Sequence, residues 1–449
     1  MVYALSLQSS WASARSVARR GLNWKGALAL TAALLLSACA GKEAPPVTAP
    51  TPVTPQVDSS RWLTPRHMQG DVVRVAILLP TGASAPEVRS LAQAMLDAAQ
   101  LALFDQGSDN FLLMPKDTKG TTEGAAAAAR EALDEGAEII LGPLFAQDVA
   151  AVAPIARDRN VPVIAFSTDS SVASNGVYLL SFLPDNELDT IARYATSQGL
   201  MTYAALIPEG AYGTRVAQLF NQSLSQYGGV LVAQESYPRD TSGVTGPVRR
   251  LARDTDRTAA VELEKQRLRE AGDEASLQAL ARLESQRSGA SFQAVLIPEE
   301  GNLLRSLAPL LAYNAVDPRR VRYLGTGLWD DPEIAREPSL LGGWFAAPAP
   351  EARQSFAMSY RKAYGHMPPR IASLAYDGVM LAATLSDGTR GDRFTRDEIT
   401  DPNGFFGVDG LFRFLADGRS QRGLAVIEVT REGFQVVNPA PTSFEQLGF

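Results

Sequence analysis

The 449-residue chain is 45% hydrophobic and 20% charged, with 42 basic and 49 acidic residues, two histidines, one cysteine and a net charge of −7. A negative balance argues against nucleic acid or an anionic lipid surface as a partner, since both are bound mainly through cations. One cysteine excludes an intramolecular disulfide, so the fold rests on its core, and this length allows two or three domains.

Residues 1–38 carry Arg15, Arg19, Arg20 and Lys25 with no acid, then an apolar segment from Ala27 to Leu36 and the small residues Ser37 and Ala38. That is the layout of a secretory signal peptide. The apolar stretch is about 10–12 residues, roughly half of what a helix needs to cross a bilayer core. The cleavage position, Leu36-Ser37-Ala38-Cys39, resembles the bacterial lipobox, which implies that Cys39 is acylated and becomes the first mature residue. Ala40 follows where an aspartate would favour the inner membrane, so the expected location is the periplasmic side of the outer membrane, lipid-anchored. Loss of the four cations leaves 38 basic residues (42 less 4) against 49 acidic, a net of −11. Residues 42–60, with five prolines, cannot bury enough surface to offset ordering entropy, and 39–70 read as a lipidated, Pro-rich tether. At about 3.1 Å per residue it could reach some 90 Å.

From Asp71 the pattern becomes alternating strands and helices. Residues 72–80 form an aliphatic run suited to a strand buried on both faces, followed by a turn and a helix with Val88, Leu91, Ala92, Met95, Leu96 and Ala99 on one face. Strands are expected at 111–115, 137–143, 161–166 and 177–182, and helices at 121–135 and 146–158. A second series starts at 202–208 and continues with a helix over 212–227 and strands at 229–238, 292–299, 322–327 and 342–348, with a helix over 301–313. Helices at 351–364 and 369–386 follow, then a terminal hairpin within 405–429. Two such series imply two doubly wound α/β lobes with parallel sheets, whose ligands sit beyond the carboxyl ends of the strands.

Residues 249–287 stand apart. They hold nine basic and eight acidic residues where only a short helix is needed, with Val261, Leu268 and Ala275 seven apart and Leu277, Leu280 and Leu283 at threes. The segment reads as a charged helical insertion broken at Gly272, either a solvated excursion or a docking surface.

The element order resembles the type I periplasmic binding fold, in which the chain crosses between two lobes three times. Within that fold, "VRVAILLPTG" (73–82), residues 135–169 and "IPEGAYGTRVAQLF" (207–220) resemble the penicillin-binding protein activator family. The resemblance implies lobe 1 from 71–185 plus 349–407 and lobe 2 from 186–348 plus 408–449. It further implies an outer-membrane lipoprotein that contacts a class A penicillin-binding protein and stimulates peptidoglycan synthesis. The alternative is a substrate-binding lipoprotein of an ABC transporter for amino acids or related small anions.

By analogy with that fold, an interlobe cleft would be lined by Thr81 and Gly82, by Phe145, Ala146 and Gln147, by Ser167, Thr168 and Asp169, by Glu209 and Tyr212, and by Trp329 and Asp330. Amino-acid receptors of this fold hold a carboxylate with hydroxyls near the second of these loops. Here Phe145-Ala146-Gln147 lacks them, although Ser167, Thr168 and Ser170 partly compensate. Tyr212-Gly213 matches the receptor pattern in which a tyrosine packs on the ligand, and matches equally a tyrosine at a helix start on a packed surface.

Catalysis finds little support. His67 and His366 have no second histidine or thiol to join, no Gly-rich phosphate loop with a lysine occurs, and "TGASAP" lacks the glycine of a nucleophile elbow. Asp117, Asp169, Glu209 and Asp330 fall at strand ends, where caps and turn acids are the simpler reading. No enzyme activity, metal or cofactor is expected.

Overall fold

The structure, a computed structural model, describes residues 71–107, 110–252, 265–285 and 292–447. The signal peptide, Cys39, the tether, His67 and parts of the charged insertion (253–264 and 286–287) lie outside the described residues.

The first series comprises β1 (Val73–Leu79), α1 (Pro86–Asp105), β2 (Phe111–Asp117), α2 (Thr122–Asp134), β3 (Ile139–Leu141), α3 (Ala146–Asp158), β4 (Val163–Ala165) and β5 (Val177–Leu179). Its five strands are all parallel, in the order β2-β1-β3-β4-β5. The aliphatic run in β1 follows from its position, because alternate side chains enter different cores. Val75, Ile77 and Leu79 pack with Met95 and Ala99 of α1, whereas Ala76 and Leu78 pack with Ala125, Ala129 and Val149 of α2 and α3. α2 begins where the Thr121 side chain accepts from Gly124 N, and its alanine stripe lets it lie close to the sheet.

A helix not anticipated from the sequence, α4 (Pro184–Ser197), opens the second lobe. Its polar composition hides the spacing of Leu188, Ile191, Ala192 and Ala195, the stripe it buries. Then come β6 (Thr202–Pro208), α5 (Ala211–Tyr227), β7 (Val230–Tyr237), α6 (Thr245–Ala252), α7 (265–271), α8 (Glu274–Ser285), β8 (Ala294–Leu296), α9 (Gly301–Tyr313), β9 (Arg322–Gly325) and β10 (Trp344–Ala347). The parallel part of this sheet runs β7-β6-β8-β9-β10, the same order as the first.

α10 (Pro350–Tyr364) and α11 (Ala372–Thr384) return to the first lobe. There the Tyr364 hydroxyl donates to Asp97 O at 2.7 Å, and Leu374 and Val379 join the core. After the short helix α12 (Arg396–Ile399), β11 (Phe405–Gly407), β12 (Gly410–Phe414) and β13 (Ser420–Arg422) form a small antiparallel sheet. β14 (Ala425–Thr430) and β15 (Gly433–Asn438) then extend the second-lobe sheet on the β10 side.

Two expectations are corrected by this arrangement. Residues 408–422, assigned from sequence to the second lobe, pack on the first: Phe412 and Phe414 lie in its core, and Leu179 N donates to Gly418 O at 2.8 Å. Alternation in β12 specifies a buried face but not which lobe covers it. The expected insertion at 249–287 begins inside α6, whose Val248 and Leu251 are buried in the second-lobe core. The remaining described part is α7 and α8, separated at Gly272, whose φ of +65° suits glycine. Leu280 is buried there and Leu277 is exposed.

The return to the first lobe is secured by Arg393, with 1% of its side chain exposed. Its Nε lies 2.7 Å from Glu138 Oε2 and its Nη2 2.7 Å from Asp71 Oδ2. Removing one partner of a buried pair strands the other charge and costs about 3–5 kcal/mol. Arg393→Ala should lower the urea unfolding free energy by that amount, and a loss below about 1 kcal/mol would show that water replaces the pair.

Candidate functional site

The chain passes between the lobes at 180–183, 348–349 and 423–424. Between them lies a group of buried charges contributed by both sides. Asp330, just after β9, receives Arg370 Nε at 3.1 Å and Arg353 Nη1 at 3.3 Å. Arg370, which precedes α11, also donates through Nη1 to Asp409 Oδ1 at 2.9 Å and lays its guanidinium 3.8 Å from the centroid of Phe182. Asp330 thus belongs to the second lobe while Arg353, Arg370 and Asp409 belong to elements packed on the first. Glu187 of α4 is buried beside them and accepts from the Gly327 backbone, and burial pushes its carboxyl up to about 8. It therefore carries a proton at neutral pH.

Arg422, at the end of β13, is wholly enclosed. Its Nε donates to Ser181 O at 3.0 Å, and its guanidinium lies 4.9 Å from the Phe182 ring and 5.2 Å from the Phe412 ring. Its Nη atoms, Asp409 Oδ2 and Asp377 Oδ2 are buried without a hydrogen-bond partner among the described residues. Burial, reinforced by Asp409, raises the Asp377 carboxyl above the usual carboxylate range. A second set of polar links joins the lobes nearby. Asp185 at the start of α4 accepts from Arg215 Nη2 at 2.9 Å and Arg419 Nη1 at 3.3 Å, while Arg215 Nη2 also reaches Ser170 Oγ at 3.2 Å. Asn186 Nδ2 donates to Ser420 O at 3.0 Å.

The residues expected around a cleft have separate local roles. Gly82 N donates to Asp117 Oδ1 at 2.8 Å, and a Cβ at Gly82 would collide with that carboxylate, so the Thr81-Gly82 turn is tied to the end of β2. Phe145 precedes α3 half-buried against the first-lobe core, Ala146 is half-buried and Gln147 is exposed. Ser167 Oγ accepts from Asp169 N at 3.1 Å, Asp169 accepts from Ser171 N at 2.9 Å, and Thr168 between them is half-buried. These bonds build a turn, matching the simpler reading of the aspartate. Glu209 is exposed after β6, and Tyr212 is half-buried on the second-lobe core.

Trp329 departs from the expectation. It is fully buried, its Nε1 donates to Ile297 O at 3.1 Å, and a Cβ at Gly325 or Gly343 would run into its indole. The position after a strand suggested a cleft wall, but two neighbouring glycines make room for the ring inside the core instead. Sequence reasoning also passed over Glu187, Arg370, Asp377, Asp409 and Arg422. No spacing signal joins residues this far apart in the chain.

Asp148, in the first turn of α3, was likewise unforeseen. It is fully buried, and both carboxylate oxygens lack a hydrogen-bond partner among the described residues.

Residues 72–255 match the periplasmic binding protein family. The penicillin-binding protein activator LpoA of Serratia proteamaculans is 30% identical over 116 residues, which cover 26% of this chain and 17% of that protein. LpoA of Vibrio antiquarius is 26% identical over 266 residues, covering 55% of this chain and 41% of that protein. The chain is similar to the penicillin-binding protein activators. Its matches span less than half the length of these relatives. A putative branched-chain amino acid ABC transporter protein from Rhodospirillum rubrum superposes with a TM-score of 0.64 at 17% identity, over 82% of this chain and all of that one. The binding protein LivJ from Streptococcus pneumoniae, in complex with isoleucine, superposes with a TM-score of 0.53 at 18% identity, over 82% of this chain and all of that one. The fold is the type I periplasmic binding fold, as the element order indicated, and the likeness to the activators read from the sequence is borne out.

Burial and the nearby Glu123 raise the Asp148 carboxyl from 3.8 to about 6. Because the folded state holds this proton more tightly than the unfolded chain, stability falls as pH rises from about 4 to 6 and the penalty is complete above that window. Asp148→Asn should therefore gain about 1–3 kcal/mol at pH 7 and nothing below pH 4. Equal gains at both pH values in urea titrations would rule out an ionic origin.

Proposed function

We propose that this chain is an envelope lipoprotein, held by Cys39 at the periplasmic side of the outer membrane, that regulates peptidoglycan synthesis by docking on a class A penicillin-binding protein. It acts by binding and carries no catalysis. The activator likeness supports the partner class, and one observation carries the mode of action. Where a receptor of this fold would close on a ligand, this chain ties Asp330 of one lobe to Arg353 and Arg370 on elements packed on the other, with Arg215 to Ser170 and Arg419 to Asp185 beside them. Moving the lobes apart would leave desolvated charges without partners. A module with fixed lobes offers outer surfaces for recognition, and α7 and α8, with their mixed charge, supply one that gives specificity more than affinity.

The transporter alternative requires an amino acid or similar anion between the lobes. Such a ligand at 100 times its dissociation constant would stabilise the folded chain by about 2.7 kcal/mol. The expected result is no shift in melting temperature across an amino-acid screen, and a shift of several degrees with any of them would favour transport.

The docking reading is tested by capture from solubilised envelope. The tagged full chain should retain a class A penicillin-binding protein, and a variant lacking residues 258–287 should stay folded by circular dichroism and lose it. Recovery of no synthase by the intact chain would refute the reading. Unchanged capture by the deletion variant would remove α7 and α8 from the interface. For the anchor, Cys39→Ala should abolish processing and outer-membrane fractionation, and a variant that still fractionates there would exclude lipidation at Cys39.

A further inference from the structure

A groove of about 600 Å³ lies between α5 and β7, lined by second-lobe residues. Gln218 and Asn221 fall three apart on α5, and Gln234 and Ser236 fall two apart on β7, so each pair lies on one face of its element. All four are exposed, and among the described residues their side chains make no hydrogen bond. The Thr214 hydroxyl, at the same rim, donates to Gly210 O at 3.1 Å and is already used. Beneath these polar rows, Ile207, Ala217 and Leu231 give the groove an apolar floor.

This lining selects among ligand classes. Among the described residues it contains no lysine or arginine, and its one charged residue is Glu209, so phosphates and carboxylates meet no cation and one repelling carboxylate. Carboxamides and a hydroxyl both donate and accept, as sugar hydroxyls do. An apolar floor under such a rim matches a sugar ring, which shows C–H groups on its face and hydroxyls around its edge. Successive polar positions on β7 are about 6.6 Å apart, so one extended ligand can meet both. A peptide adding to the outer edge of β7 fits less well. The pairing of β7 with β6 shifts register at its start, where Val232 is skipped, and a bulge of this kind blunts an edge.

We infer that the groove between α5 and β7 binds the glycan backbone of peptidoglycan. The neutral saccharide class rests on the lining, and the cell-wall identity rests on the reading given under the proposed function. Held this way, the glycan would rest on second-lobe residues that belong to neither α7 nor α8, so that one module touches both the synthase and its product.

The probe is chitotetraose, titrated calorimetrically into the detergent-solubilised full chain, with maltotetraose and an extended tetrapeptide as controls. Chitotetraose should bind in preference to both controls, and the double variant Gln218→Ala/Gln234→Ala should raise its dissociation constant about tenfold or more with an unchanged melting temperature. Asn221→Trp, which fills the groove, should abolish binding. The inference fails if chitotetraose does not bind, if both variants bind it as wild type does, or if maltotetraose or the tetrapeptide binds as tightly. Synthase capture by the double variant separates the two proposals. Retained capture with lost glycan binding supports both, whereas loss of glycan binding in wild type overturns this one and leaves docking to be judged on capture.

Discussion

The half-buried Arg370 guanidinium stands where the chain passes between lobes, and both lobes supply partners that offset its partial desolvation. Desolvating such an ion costs several kcal/mol, which Asp330 from one side, Asp409 from the other and the face of Phe182 together offset. Charge balance extends the same logic. Arg353, Arg370 and Arg422 face Glu187, Asp330, Asp377 and Asp409, and four ionised acids would exceed three cations. The Glu187 carboxyl is raised to about 8 and the Asp377 carboxyl is raised by burial as well, so protons held on the acids relieve that excess at neutral pH. The second lobe supplies Asp330 and Glu187, so neither lobe satisfies the cluster alone.

That dependence bears on what the two-lobed design can do. Receptors that close on a ligand need an equilibrium between lobe arrangements, and a ligand shifts it only by its differential affinity for them. Here an opened arrangement would part Asp330 from both Arg353 and Arg370, stranding its largely buried carboxylate. A buried ion pair adds little net stability compared with apolar packing, yet it penalises the wrong arrangement strongly. The cluster is therefore better suited to fixing orientation than to strengthening the fold, which agrees with a module recognised through its outer faces.

How much of this was legible in the sequence follows from the range of the interactions. β6, α3 and α9 have the bounds that periodicity gave, because a strand buried on both faces or a helix with one apolar stripe announces itself within a few residues. β3, β4 and β8 are shorter than their aliphatic runs, since the residues beyond the ladder turn into loops while staying buried. α4 was missed because most of its fourteen residues are polar and its buried face includes polar side chains, Glu187 and Thr190 among them. The lobe to which β12 and β13 belong was not legible at all. Phe412 and Phe414 alternate as any half-buried strand would, and only the closing of the chain decides which core receives them. For the same reason Asp409 and Arg422 gave no signal, since their partners stand on other elements.

The strand-end acids show what position alone can and cannot tell. Asp117, Asp169, Glu209 and Asp330 satisfy one sequence rule, and the fold gives them different work. Asp117 accepts from Gly82 N and Lys119 N, each at 2.8 Å, and so ties two loops together. Asp169 closes its own turn through Ser171, and Asp330 receives two arginines from the other lobe. Glu209 differs, because it is exposed at the end of a groove and no side-chain bond engages it among the described residues. An acid already paired within its own fold can meet a ligand only by giving up that partner, whereas an unpaired one at the rim of a concave surface meets it at little cost. Partner occupancy, which appears only in three dimensions, therefore separates the carboxylates engaged within the fold from the one that is not. It also moves attention from the junction between the lobes to the flank of the second.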